Sequence, residues 1–179
     1  MLAPGTYNFG PHNGKLVVKT FRQGLAKKVG HDLIIDVGDW SATVTVGEDP
    51  SETTVTANAT VASLNPREGV GGVKPLSDGD KADIRKNITQ KILTSPEITF
   101  RSSSVKTAGN SATVSGDLTI MGRSQPVDVQ LSESGGRVRG NLSVVQTQFG
   151  IKPFTAMMGA LKVADRVEVE FEGNVPASA

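Results

Sequence analysis

The 179-residue chain contains no cysteine, which excludes disulfides, thiolate nucleophiles and cysteine-ligated zinc or iron–sulfur centres. It also leaves the redox compartment unmarked. Only two histidines are present, so a metal site built on three imidazoles is excluded. Aromatic residues are scarce, with six Phe, one Trp and one Tyr, and few bulky rings are available to fill an interior. Neither sign of charge dominates: 19 Lys and Arg face 18 Asp and Glu, for a net charge of +1. Because the basic residues form no stripe along the chain, nucleic acid and anionic membrane surfaces are poor candidates for primary partners. No apolar run approaches the ~20 residues that span a bilayer, so no transmembrane segment is expected. The opening Met1-Leu2-Ala3-Pro4-Gly5 lacks the charged start and the run of about 7–15 apolar residues of a secretory signal. The sequence as it stands reads as that of a soluble, cytoplasmic protein.

What the chain does have is alternation. Trp40, Ala42, Val44 and Val46 alternate with Ser41, Thr43 and Thr45, and Val55, Ala57, Ala59 and Val61 with threonines and Asn58. Val114, Gly116, Leu118 and Ile120 form a third set, and Val167, Val169 and Phe171 alternate with glutamates in a fourth. Weaker versions occur at 16–21, 33–37, 98–105, 127–131 and 138–145. A period of two is what a strand with one buried and one wet face requires, and Thr and Val suit it. Short Gly- and Asn-containing turns separate the segments, and such turns join antiparallel neighbours. About eight to ten strands in one domain spanning residues 1–179 predict an all-β barrel or sandwich.

Two stretches depart from alternation. Ile84, Ile88 and Ile92 are spaced four apart, which predicts an amphipathic helix from about Asp78 to Leu93, begun by Ser77 or Asp78 and ended before Pro96. The preceding Leu64–Leu76, with Gly69, Gly71 and Gly72, reads as a long loop, so loop and helix together occupy about 64–93. Phe149–Val163 is apolar without alternation and reads as a flap or short helical turn.

Candidates for chemistry are few. His31 beside Asp32 could orient a base for a hydrolase or isomerase, but the chain has no G-x-S-x-G nucleophile elbow. The plainer reading is that His12 and His31 bond nearby backbone at strand ends. His31, Asp32 and Asp36 could be written as a metal-ligand set, although alternation with Leu33 and Ile35 turns both aspartates to water. Gly69-Val70-Gly71-Gly72-Val73-Lys74 lacks the spacing of any phosphate loop. No catalytic residue, metal or cofactor is therefore assigned. The inward positions are more telling, because they include Ala42, Ala57, Ala59, Gly116 and Gly140. Small inward residues favour a hollow barrel able to hold one greasy ligand, while bends and close strand approach would call for the same residues in a filled one. The residues leave both readings open, and a filled barrel would act through its surface.

Several segments resemble a known family. Pro96-Glu97-Ile98-Thr99-Phe100-Arg101-Ser102 is similar to a Y-P-x-I-x-F-x-S segment, and Val114 through Gly122 to V-x-G-x-L-T-I-x-G. Gly5-Thr6-Tyr7 through His12 to Leu16-Val17-Val18-Lys19 resembles the first hairpin of the same family. Phe149-Gly150 and Val163-Ala164-Asp165-Arg166-Val167 resemble its closing S-x-F-G and V-G-D-x-V elements. These are marks of the YceI-like family of polyisoprenoid-binding proteins. The resemblance implies an extended, eight-stranded lipocalin-like antiparallel barrel that binds, carries or sequesters an isoprenoid, quinone, fatty acid or similar lipid without chemistry; a homodimer is compatible with it. The chain departs from the pattern at Ser95, where the family has Tyr, and along Asp83–Leu93. The expected mouth is the Phe149–Leu161 segment, with Phe149, Phe154, Met157, Met158 and Leu161 touching ligand and Gly150 and Gly159 as hinges. Phe21, Ile92 and Phe100 are expected to contribute.

Overall fold

A computed structural model describes residues 2–177. The strands are β1 (Gly5–Phe9), β2 (Gly14–Thr20), β3 (Arg22–Gln23), β4 (Asp32–Val37), β5 (Trp40–Val46), β6 (Thr54–Thr60) and β7 (Leu64–Val70). After helix α1 (Asp78–Asn87) come β8 (Glu97–Ala108), β9 (Ser111–Ile120), β10 (Arg123–Ser134), β11 (Arg137–Val145), β12 (Thr155–Ala156), β13 (Leu161–Val163) and β14 (Arg166–Asn174). Eleven of them form one antiparallel sheet in the order β1-β5-β6-β8-β9-β10-β11-β14-β2-β4-β7. The other three, β12-β13-β3, form a small second sheet.

The large sheet curls strongly. β1 pairs with β5 and β2 with β4, so β1–β2 and β4–β5 lie side by side as two long runs. β5–β6 and β4–β7 pairing repeats the arrangement one run further on. From β2 the hydrogen bonds lead through β14, β11, β10, β9, β8 and β6 to β5, which continues the run begun by β4, itself paired to β2. The sheet thus curves back on itself as a lipocalin-like, all-β fold. The strand count differs from the expected eight because three runs are each interrupted. The breaks fall at the Gly10–Asn13 turn, at Gly38–Asp39 and at a 3₁₀ turn over Val61–Ser63.

One expectation is corrected. Leu64–Val70 is strand, and only the remainder of Leu64–Leu76 is loop. Asn65, Pro66 and Gly69 disguise it. Pro66, fully buried, sits where the β4–β7 register shifts between Ile34 and Ile35, and β7 is an edge strand, the setting in which a missing N–H is tolerated.

The helix forms where its spacing predicts. Ser77 caps it through a reciprocal capping box: its hydroxyl accepts from the Asp80 N–H at 3.1 Å while the Asp80 carboxylate accepts from the Ser77 N–H at 2.8 Å. After Asn87 the chain widens into a π turn over Ile88–Ile92, which keeps the apolar stripe facing inward as the helix ends. Ile88 is buried, with Ile84 and Leu93 packed on the same cluster. Arg85 donates to Asn65 Oδ1 at 2.7 Å and fastens α1 to β7. Ser77→Ala should destabilise the helix start by about 1 kcal/mol, read as faster amide exchange over the first turn of α1. The hydrogen bonds from Ser77, with smaller help from Lys74 and His31, hold the Asp80 carboxyl below the usual carboxylate range. That contribution is present above the ordinary carboxylate pKa and fades as pH falls through the lowered one, so the same amides should lose protection in acid.

Candidate functional site

The interior of the curled sheet holds a cavity of about 550 Å³. Its size falls within the roughly 300–1,000 Å³ typical of small-molecule sites. The cross-strand register explains why it is empty of side chains. Ala42 stands opposite Ala57, and Ala57 opposite Phe100, while Ala59 lies between Trp40 and Ile98. All three alanines line the cavity, and a methyl group reaches too little of the space that Leu or Phe would fill. The inward glycines differ. A Cβ on Gly116 would strike the Phe100 ring at 2.7 Å, beside the register shift between Ser102 and Ser104 in β8. A Cβ on Gly140 would strike Leu131 Cδ2, also at 2.7 Å. These two glycines admit neighbours, as bends and bulges do, whereas the alanines leave space.

Rings close part of the interior. Phe171 meets Phe9 and Trp40 edge-on at 5.5 and 5.6 Å, and all three line the cavity. The helix covers the wall beside β7 with Ile84, Ile88 and Ile92. At the end where β4 begins and β7 ends, the lining includes Val29, Gly30, His31, Phe154 and Leu161.

Of the expected ligand contacts, Ile92, Phe100, Phe154 and Leu161 are brought together on the lining. Phe149 is placed elsewhere, 1% exposed among Leu118, Ile120, Val144, Ile151 and Val167. Phe21 is at the rim, and Met157 and Met158 turn outward. The segment from Phe149 to Val163 is a 3₁₀ turn ending at Phe149, then the β12–β13 hairpin, which pairs with β3.

The lining is aliphatic with a few polar groups that alternation did not flag. Thr20 Oγ1 is buried and has no hydrogen-bond partner, the one such side-chain atom among the described residues. Gln146, also buried, donates from Nε2 to the Ala164 carbonyl at 3.0 Å. Both line the cavity, and Ala164 links their segments by donating to the carbonyl of Phe21, the residue after Thr20, at 2.7 Å. No sequence signal separates Thr20 from the many strand threonines.

His31 and Asp32 are adjacent but do not form a dyad. His31 Nε2 lies 2.7 Å from the Lys74 carbonyl, which can only accept, so that nitrogen carries the proton. Asp32 Oδ1 accepts the Arg22 backbone N–H at 2.8 Å, and Asp36 pairs with Arg67 at 3.1 Å. The glycines of the 69–72 stretch let two side chains in close: Gly69 and Gly72 pack on the His31 ring, and Gly71, at φ +82°, on the Arg22 guanidinium. Among the described residues no group of three His, Asp or Glu could hold a metal ion, and no helix is long and apolar enough to cross a membrane.

The YceI-like domain model matches residues 14–175, almost the whole curled sheet. The chain belongs to the YceI-like domain family. Among solved structures it is similar to BcnA of Burkholderia cenocepacia, at 22% identity and a TM-score of 0.61, over 89% of this chain and 94% of that one. It is also similar to the YCEI protein of Campylobacter jejuni, at 17% identity and a TM-score of 0.49, over 76% of this chain and 81% of that one. Curated protein sequences gave no match. At the β9–β10 turn Met121 and Gly122 both have positive φ.

Proposed function

We infer that this YceI-like protein binds one isoprenoid or similar hydrophobic lipid inside the curled sheet and carries or sequesters it without chemistry. The observation that supports this most is the cavity of about 550 Å³ kept open by Ala42, Ala57 and Ala59. Its aliphatic wall suits a hydrocarbon tail, which gains by leaving water for an apolar surface at about 25 cal/mol per Å². A buried hydroxyl without a partner costs about 1–3 kcal/mol, and a ligand oxygen beside Thr20 would remove that cost. The polar end of the lipid therefore sits near Thr20 and Gln146, and the tail runs toward Phe100 and the alanines. Catalysis by His31 and Asp32 has no support in the separate bonds those side chains make.

The test is native mass spectrometry after gentle purification, followed by titration of the stripped protein with a prenyl quinone and a fatty acid. A co-purifying lipid, or saturable uptake of either at one molecule per chain, supports the carrier. Repeatedly bare spectra with no uptake would leave a protein acting only through its surface. Thr20→Val should weaken a quinone or fatty acid by roughly fivefold to tenfold, the range of one lost hydrogen bond, and leave a pure hydrocarbon unaffected.

A further inference from the structure

Large apolar side chains are exposed at one place in this fold. Phe21, Leu25 and Val29 lie on the connection 21–31, with Leu25 97% exposed. Val70 and Val73 lie on 69–76, and Met157 and Met158 on the β12–β13 turn, with Met158 fully exposed. These account for the exposed large hydrophobics among the described residues. The three connections are tied together. Lys162 and Val163 of β13 pair with Gln23 and Arg22, Ala26 donates to the Ala160 carbonyl at 2.9 Å, and Arg22 donates to the Val70 carbonyl at 3.3 Å. They make a single rim.

That rim is also basic. Stretches 21–31, 69–76 and 150–163 carry Arg22, Lys27, Lys28, Lys74, Lys152 and Lys162. Of the acidic residues that border them, Asp32 is bonded by Arg22, Glu68 by Arg67, Asp80 by Ser77 and Asp165 by Thr147. Arg22 lies 3.7 Å from Asp32 and Lys74 acts on the Asp80 carboxylate, whereas Lys27, Lys28, Lys152 and Lys162 are in no ion pair among the described residues. The β5–β6 loop, at the far end of the β4–β5 run, carries Glu48, Asp49 and Glu52 with no basic residue.

We propose that this rim docks on an anionic lipid bilayer. Leu25 and the Met157–Met158 pair enter the boundary between head groups and acyl chains while the lysines meet anionic head groups. Met157 and Met158 both hold positive φ, 51° and 55°, a strained conformation for side-chain-bearing residues that turns both thioethers outward. Apolar knobs ringed by lysines suit a membrane interface, where long cationic stems reach the head groups. Protein–protein interfaces share this rim's Met, Phe and Arg but are depleted in lysine, of which the rim carries five, and the lysines favour anionic head groups. The cavity lining reaches the same rim at Val29, Gly30, Phe154 and Leu161, so docking sets the mouth against the lipid.

The full chain, stripped of any lipid, is sedimented with vesicles of phosphatidylcholine alone and of equimolar phosphatidylcholine and phosphatidylglycerol. Binding is expected to the mixed vesicles and to weaken with added salt. At about fivefold per lysine near an anionic surface, Lys27→Glu with Lys28→Glu should lower the affinity twentyfold or more. Leu25→Glu and Met158→Glu should each lower it about tenfold, with unchanged melting temperatures because both side chains are exposed. No vesicle binding, or binding indifferent to all these variants, overturns the proposal. A dimer that Met158→Glu dissolves, with no vesicle binding, assigns the rim to a second copy and also overturns it. The stripped chain needs no cavity ligand for this assay, so failure of lipid uptake and failure of docking are read separately.

Discussion

Phe149→Ala should lower the unfolding free energy by about 3–5 kcal/mol, a large part of the roughly 5–15 kcal/mol that holds an ordinary domain folded. The ring is 1% exposed among Leu118, Ile120, Val144, Ile151 and Val167, contributed by β9, β11, β14 and the turn after β11. Removing it takes apolar surface out of contact and leaves a hole that rigid strands cannot collapse to fill. The backbone around it is equally committed. Gly150 closes the 3₁₀ turn at φ +72°, and the space its Cβ would need is taken by the Arg123 guanidinium, 2.8 Å away. Urea unfolding should show a lower midpoint with an unchanged slope. A loss below about 1 kcal/mol would mean that Phe149 can leave its pocket, as a hinged flap would require. Phe154, half-buried on the cavity wall, is the contrasting case, and its truncation should cost much less.

Ala57→Phe should reduce uptake of a prenyl quinone or fatty acid tenfold or more while leaving the fold intact. Ala57 lies between Ala42 and Phe100 in the middle of the β5–β6–β8 wall, so a ring placed there enters the space a lipid tail would occupy. The accompanying change in stability is as informative as the loss of uptake. An added ring in a packed interior costs about 1–3 kcal/mol through strain. In a cavity it buries new apolar surface instead, gaining on the order of 1–2 kcal/mol at about 25 cal/mol per Å². A raised melting temperature with abolished uptake is the expected pair of results. A lowered melting temperature with uptake retained would place the ligand elsewhere.

The sequence carried much of this fold and less of its site. Alternation at Trp40–Val46, Val114–Ile120 and Arg166–Glu172 located strands because the side-chain period of a pleated chain is two, whatever its neighbours are. The four-residue spacing of Ile84, Ile88 and Ile92 located the helix for the same local reason; its start was legible as Ser77 or Asp78, and the capping box makes it Ser77. β7 escaped because Asn65, Pro66 and Gly69 carry the marks of a loop, and only its pairing with β4 makes it a strand. Ala42, Ala57 and Ala59 were legible as small and inward, yet the same letters serve a hollow wall and a tight bend. Gly116 shows the second outcome, with Phe100 lying where its Cβ would be. Which outcome holds at each position depends on the residue across the sheet, and that is a matter of register.

The apolar stretch from Phe149 to Leu161 divides in the same way. Phe149 points into the core, Phe154 and Leu161 into the cavity, and Met157 and Met158 away from both. Composition identified the segment as apolar, but backbone geometry chose each direction. The lysines at 27, 28, 74, 152 and 162 are dispersed along the chain and cancel against acids in any count. Folding collects them on one rim, because the β3–β13 pairing and the Arg22 and His31 bonds draw three distant connections together. Local period and capping are properties of neighbours in sequence, so the chain alone determines them. Cavity, rim and the polar end at Thr20 are properties of neighbours in space, and only the curl of the sheet decides them.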